Sequence, residues 1–82
     1  MIFVDTNYFL RFLFDDDTQQ HDIASNFFLE ASRNKKNLTT STLVIFEIYW
    51  VLGSSYQLNK SEKINIIHKI LDMSFIYFVE RS

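Results

Sequence analysis

Two acidic residues, each set among apolar neighbours, are the strongest candidates for chemistry in this sequence. Asp5 stands where the apolar run Met1-Ile2-Phe3-Val4 stops, and Thr6 and Asn7 follow it directly. Glu47 interrupts the almost wholly apolar stretch Leu43-Val44-Ile45-Phe46-Glu47-Ile48-Tyr49-Trp50-Val51-Leu52. A short apolar run cut off by a carboxylate and two small polar residues reads as a buried strand with its ligand end at Asp5. In open α/β sheets the site lies just past the carboxyl ends of the strands. Thr6 or Asn7 is expected to cap the next helix, whose free N–H groups then face the same place. Glu47 lies three residues after Val44 and four before Val51, hence on or beside the apolar face of a helix. An unpaired carboxylate there is costly, so it is either protonated or matched by a cation. Otherwise it reaches solvent at the helix edge or meets an arginine such as Arg11.

Other polar features have plainer readings. Asp15-Asp16-Asp17 has the composition of a metal loop, but a solvated turn whose acids favour the N-terminus of the next helix accounts for it better. His21 is placed on the outer side of a helix and His68 at the border of an apolar face. Both read as surface or packed histidines.

The elements that must position these groups follow from periodicity. Strands are expected at 2–5, 38–40 and 75–79. Helices are expected at 7–14, 18–33, 42 to about 56, and 60–72. Ile23, Ala24, Phe27, Phe28 and Ala31 form one apolar face of the second helix. Thr40 or Ser41 caps the third helix, whose core stripe is Val44, Ile48, Val51 and Leu52. Gly53, the only glycine, marks a loosened last turn or a close helix contact. Asn59-Lys60-Ser61-Glu62 has the form of a capping box and opens the fourth helix. That helix has the apolar set Ile64, Ile66, Ile67, Ile70 and Leu71. Residues 32–37 form a polar loop, and Glu80-Arg81-Ser82 ends the chain. The order β-α-α-β-α-α-β implies an α/β fold with a parallel sheet and helix pairs as crossovers.

Composition sets the bounds. Eighty-two residues make one domain at most. A free domain of this size hides only about 60–65 % of its unfolded surface. Yet 48 % of the residues are hydrophobic and nine are Phe, more apolar side chain than so small a core encloses easily. Either the chain oligomerises or it is part of a larger fold. With no cysteine, disulfides and thiolate metal sites are excluded. A net charge of −2 argues against a broad electrostatic platform for nucleic acid, though not against a small site that holds phosphates through metal ions. No signal peptide and no stretch long enough to cross a membrane is evident, so a soluble cytoplasmic protein is expected.

The opening Ile2-Phe3-Val4-Asp5-Thr6-Asn7, followed by Tyr8-Phe9-Leu10-Arg11-Phe12-Leu13, resembles the start of a PIN domain. The stretch 40–52, in which a helical glutamate follows small hydroxyl residues, resembles that family's second motif. The likeness is greatest to the VapC-type toxins of bacterial toxin–antitoxin pairs. It implies a metal-dependent ribonuclease in which acids gather around Mg²⁺ or Mn²⁺. Asp5 and Glu47 match the first two catalytic and metal-binding acids. Thr6 and Asn7 match the polar residues beside the first acid, and Ser41 or Thr42 the hydroxyl near it. The resemblance further implies a sheet of order 3-2-1, an RNA substrate and an antitoxin partner. The family's remaining acids lie downstream of the third strand, so residues 1–82 read as an incomplete PIN-like domain. It lacks the C-terminal strands and helices, is weakly active or inactive alone, and is prone to homo-oligomerise through the open edge of its first strand or through uncovered helix faces. The alternative is a non-catalytic remnant acting as a protein-binding module. A haloacid dehalogenase-type phosphatase also begins with a strand and an aspartate, but it requires a second aspartate where this chain has Asn7.

Overall fold

The computed structural model describes residues 2–34 and 37–79; Met1, Lys35-Lys36 within the polar loop, and Glu80-Arg81-Ser82 lie outside the described residues. The elements run β1 (Ile2–Phe3), α1 (Thr6–Leu13), α2 (Thr18–Arg33), β2 (Leu38–Ser41), α3 (Thr42–Ser54), α4 (Lys60–Leu71) and β3 (Ile76–Val79). The three strands form one parallel sheet in the order β1-β2-β3. Ile2 stands opposite Leu38, and Leu38 opposite Ile76, so β2 is central. The α/β class, the strand order and the helix pairs are those that the sequence implies.

Each helix pair closes by a distinct physical means. α1 packs on α2 through aromatic rings. Phe28 lies 4.6 Å from Phe12 and 5.4 Å from Phe9, centroid to centroid, and Tyr8 lies 5.0 Å from Phe27. Tilted and edge-on pairs of this kind add to simple burial. α3 and α4 meet at Gly53, where a Cβ would lie 3.1 Å from the Lys63 Nζ. The helix contact expected at this glycine is present, but it is made by the flexible end of the Lys63 side chain, which can give way to a Cβ. Lys63 also places its ammonium 4.4 Å over the Tyr49 ring. The core that joins both pairs to the sheet includes Val4, Phe9, Phe28, Leu38, Ile48, Leu52, Ile70 and Ile76.

The capping box at the start of α4 is present in both directions: Asn59 Oδ1 accepts from the Glu62 N–H at 2.8 Å, and Glu62 Oε1 accepts from the Asn59 N–H at 3.0 Å. Other boundaries differ from expectation. β1 ends at Phe3, not at residue 5, because Asp5 leaves the sheet to cap α1. α1 therefore begins at Thr6, and neither Thr6 nor Asn7 is its cap. α3 stops at Ser54, and the chain reverses at Gln57, whose φ of 55° is left-handed. Leu58 N–H then returns to the Leu52 carbonyl at 3.0 Å. Ile23, expected on the buried face of α2, is 49 % exposed. It falls one residue before Ala24, at the rim of the stripe that Phe28 and Ala31 centre. Ile64 and Leu71 of α4 are likewise exposed, because only one face of that helix meets α3 and the core.

Candidate active site

Asp5 is held from three sides. The preceding residue is pinned at both of its backbone polar groups: Val4 N–H donates to the Thr39 carbonyl at 2.8 Å, and the Val4 carbonyl accepts from the Thr40 hydroxyl at 2.9 Å. Thr40 is the one fully buried polar residue among the described residues, and this bond satisfies it. Beyond Val4, Asp5 Oδ1 accepts from the Tyr8 N–H at 3.1 Å and caps α1. One carboxylate oxygen is thus committed to the helix, and Oδ2 makes no hydrogen bond among the described residues. The capping role also explains why a carboxylate is tolerated here, since anions are favoured at a helix N-terminus.

Glu47 reaches the same place from the middle of α3. Its neighbours Val44 and Ile48 are buried, yet Glu47 itself is exposed, so it occupies the edge of the apolar face. Its partner is Thr6 rather than Arg11: the Thr6 hydroxyl donates to Glu47 Oε2 at 3.2 Å. This bond crosses from the first turn of α1 to α3, over a separation of 41 residues in sequence. Ser41, at the end of β2, caps α3 by accepting from the Val44 N–H at 3.3 Å.

These groups line one cleft of about 620 Å³. Asp5, Thr6, Asn7, Thr39, Ser41 and Glu47 supply its polar wall, and Leu10, Leu43, Val44 and Val51 much of its apolar wall. The cleft opens past the C-terminal ends of β1 and β2, where parallel sheets place their sites. Of the residues matched to the family's site, Asp5, Thr6, Asn7, Ser41 and Glu47 line it and Thr42 does not. Thr42 is the first residue of α3, one step beyond the capping Ser41. Thr40 is the contributor that sequence reading assigned otherwise, as a cap. The threonine-rich end of β2 signals a hydroxyl near the site, but which of three adjacent hydroxyls clamps Val4 depends on the register with β1.

The donor set consists of carboxylate, hydroxyl and amide oxygens, which suits a hard divalent cation such as Mg²⁺ or Mn²⁺. Asp5 and Glu47 are the charged members. No group of three or more acids or histidines gathers in a metal-binding arrangement among the described residues. The run Asp15-Asp16-Asp17 is structural: Asp17 caps α2 through the Gln20 N–H at 3.1 Å, and Asp16 accepts from the Tyr56 hydroxyl. Neither histidine joins the cleft. His21 Nδ1 lies 2.9 Å from the Arg11 carbonyl oxygen, a bond in which the ring N–H donates, and His68 is exposed on α4.

A family model of the PIN domain matches residues 2–80, and the chain belongs to that family. PIN domains are associated with nuclease activity, generally use divalent metal ions, and as nucleases bind RNA. No curated protein matches the chain significantly. No helix among the described residues is long and apolar enough to cross a membrane.

Proposed function

We propose that the chain contributes to a metal-dependent endoribonuclease of the toxin type found in toxin–antitoxin pairs, acting in the cytoplasm. The observation that supports this most directly is that Asp5 and Glu47, 42 positions apart, line one cleft with Thr6, Asn7 and Ser41. Asp5 Oδ2 and the Glu47 carboxylate would hold Mg²⁺ or Mn²⁺, with Asn7 and the hydroxyls of Thr6 and Ser41 orienting ligands around it; Thr42, beside Ser41, is the more distant candidate. A bound ion of this kind activates water, orients the phosphate and stabilises the leaving oxygen. Thr6 fixes the rotamer of Glu47, and the Thr40–Val4 clamp fixes the backbone of Asp5. The two acids are thus held through the same first turn of α1, Asp5 as its cap and Glu47 through Thr6.

Two carboxylates are a sparse set for Mg²⁺, which takes its other ligands from water, substrate phosphate or further acids. The 82-residue polypeptide is accordingly expected to be weakly active or inactive alone, with other ligands coming from outside the described residues. Titration of the purified chain with Mn²⁺, followed by calorimetry, tests this reading. Asp5→Asn and Glu47→Gln should each weaken binding by about tenfold or more, since each removes a charged oxygen ligand. Equal Mn²⁺ affinity in both variants and the parent chain would sink the proposal.

A second reading rests on the surface that continues from the cleft at Leu43 along α3. Leu43, Phe46 and Trp50 form an exposed apolar stripe on α3, with Phe46 68 % and Trp50 70 % exposed. Contiguous exposed apolar surface of this kind marks an interaction site. It supports a protein-binding or self-associating module, with an antitoxin or a second copy of the chain as partner. Self-association that persists without any metal affinity would favour it.

A further inference from the structure

A second, more polar cleft adjoins the first. It encloses about 410 Å³ and shares Asn7 and Leu10 with the acidic cleft, so the two are continuous along one side of α1. Its remaining wall is Arg11, Phe14, Asp16, Asp17, Gln20 and Tyr56. Phe14 and Tyr56 stack nearly parallel, 3.8 Å apart with an interplanar angle of 13°. The Tyr56 hydroxyl donates to Asp16, and Gln20 N–H donates to Asp17 at 3.1 Å. Both carboxylates are thus oriented by the protein, and each oxygen keeps a lone pair for a ligand.

The chemistry of this wall is selective. A phosphate would meet two carboxylates against one guanidinium, so a simple anion does not fit. A purely apolar ligand would bury the polar rim without partners. The edge of a nucleobase satisfies a mixed wall of donors and acceptors. Among the four bases of RNA, guanine alone sets an imino N–H beside an amino group, the pair that matches the two oxygens of a carboxylate. Its O6 and N7 acceptors match a guanidinium in bidentate fashion. Asn7 and Arg11 are four residues apart on α1, a rise of about 6 Å, comparable with one nucleotide step of an extended strand.

We propose that the cleft bounded by Arg11, Asp16, Asp17 and the Phe14–Tyr56 stack is a guanine-preferring nucleotide subsite, placed beside the acidic cleft to select which phosphate of an RNA strand lies there. The proposal rests on the reading that the acidic cleft acts on RNA. It assigns sequence preference to α1 and the turn that follows it, while the acids themselves remain indifferent to the base.

The test is equilibrium binding of the full chain, with Mn²⁺ present, to short fluorescent RNAs that differ only in a single central base. The guanine-containing strand should bind about tenfold more tightly than its adenine, cytosine and uracil counterparts, the discrimination expected of one bidentate contact. Asp16→Asn keeps the side-chain shape and the acceptor for Tyr56, and Arg11→Gln alters an exposed side chain. Each should shrink the preference to less than about twofold, the loss of that one contact. Equal affinity for all four strands, or a preference that survives both variants, overturns the subsite. Free guanosine monophosphate displacing the strand at comparable concentration would also overturn it, because the ligand would then be a mononucleotide and not a base within RNA. Failure of the subsite alone leaves Mn²⁺ affinity still dependent on Asp5 and Glu47. Failure of the nuclease reading shows instead as Mn²⁺ affinity indifferent to both acids.

Discussion

The Thr6 hydroxyl donates to Glu47 Oε2 at 3.2 Å, and this one bond links the element that presents Asp5 to the element that presents Glu47. Both groups are near the surface, so the bond adds little to folding, at the low end of about 0.5–1.5 kcal/mol. Its consequence is local: it selects one orientation of a flexible glutamate. Thr6→Val should leave the urea midpoint nearly unchanged while lowering Mn²⁺ affinity several-fold. A double-mutant cycle with Glu47→Gln should show the two effects to be non-additive. Additive losses would mean that Thr6 acts independently of Glu47.

Asp5 has two separable roles, and two substitutions divide them. As N-cap of α1 it accepts from the Tyr8 N–H at 3.1 Å. Asp5→Ala removes both cap and charge and should cost about 1 kcal/mol of stability. Asp5→Asn keeps a cap of nearly equal quality, so thermal unfolding should move little. Both should lose metal affinity. A large stability loss in Asp5→Asn would show that the charge, and not the acceptor, holds the start of α1.

Thr40 is the positioning residue least open to compensation. Its hydroxyl is buried and donates to the Val4 carbonyl at 2.9 Å. Thr40→Val preserves shape but leaves that carbonyl without its donor, at a cost of about 1–3 kcal/mol. Denaturant unfolding measures the loss. Mn²⁺ titration should show a weakened site as well, because the peptide before Asp5 is no longer pinned on that side.

The pattern of these residues explains what the sequence could and could not disclose. The parallel sheet and its helix pairs follow from periodicity, and Asp5 falls where such sheets put their sites; the strand order and the convergence of Asp5 with Glu47 were legible only through the resemblance to PIN domains. The capping box at Asn59 and Glu62 is a local motif and is legible as such. What sequence left open depends on non-local register. Which of Thr40, Ser41 and Thr42 clamps, caps or stands aside is settled only when β2 aligns with β1, with Phe3 opposite Thr39. The exposure of Glu47 was equally hidden, because a residue three from one core position and four from another falls at an edge whose depth is set by what packs there. The subsite beside Arg11 needed the return of Tyr56 to Asp16, a contact across 40 residues.

Tyr56 gives the fold a pH dependence at the alkaline end. Its hydroxyl is held by Asp16, and that hydrogen bond, together with partial burial and the nearby carboxylate charge, pushes its pKa up to about 12 from 10.0. Because the folded-state value lies above the unfolded one, the unfolded chain ionises first as pH rises. The contribution of this group is therefore fully present below pH 10.0 and lost as pH climbs towards about 12. Phenolate absorbance should show one tyrosine titrating late, and Tyr56→Phe should remove that late step. Titration of every tyrosine near the ordinary value would contradict the Tyr56–Asp16 bond.

The exposed stripe of α3 predicts behaviour in solution. Leu43, Phe46 and Trp50 recur at three- and four-residue spacing, so they share one side of the helix. They are also among the largest exposed apolar side chains of the chain, whereas Val44, Ile48 and Leu52 on the opposing side are buried. A core face and a second apolar face on one helix leave it little polar side beyond Glu47, a pattern closer to that of buried helices. Light scattering at micromolar concentration should give a mass above the 9.8 kDa of one chain. Phe46→Glu and Trp50→Glu place a charge at the centre of the stripe and should restore the single-chain mass without lowering the unfolding midpoint, because neither side chain is part of the core. Mn²⁺ affinity separates the consequences for the site. If the acidic cleft is completed within one chain, the monomeric variants bind the ion as the parent does. If a second copy supplies oxygen ligands, affinity falls in step with dissociation.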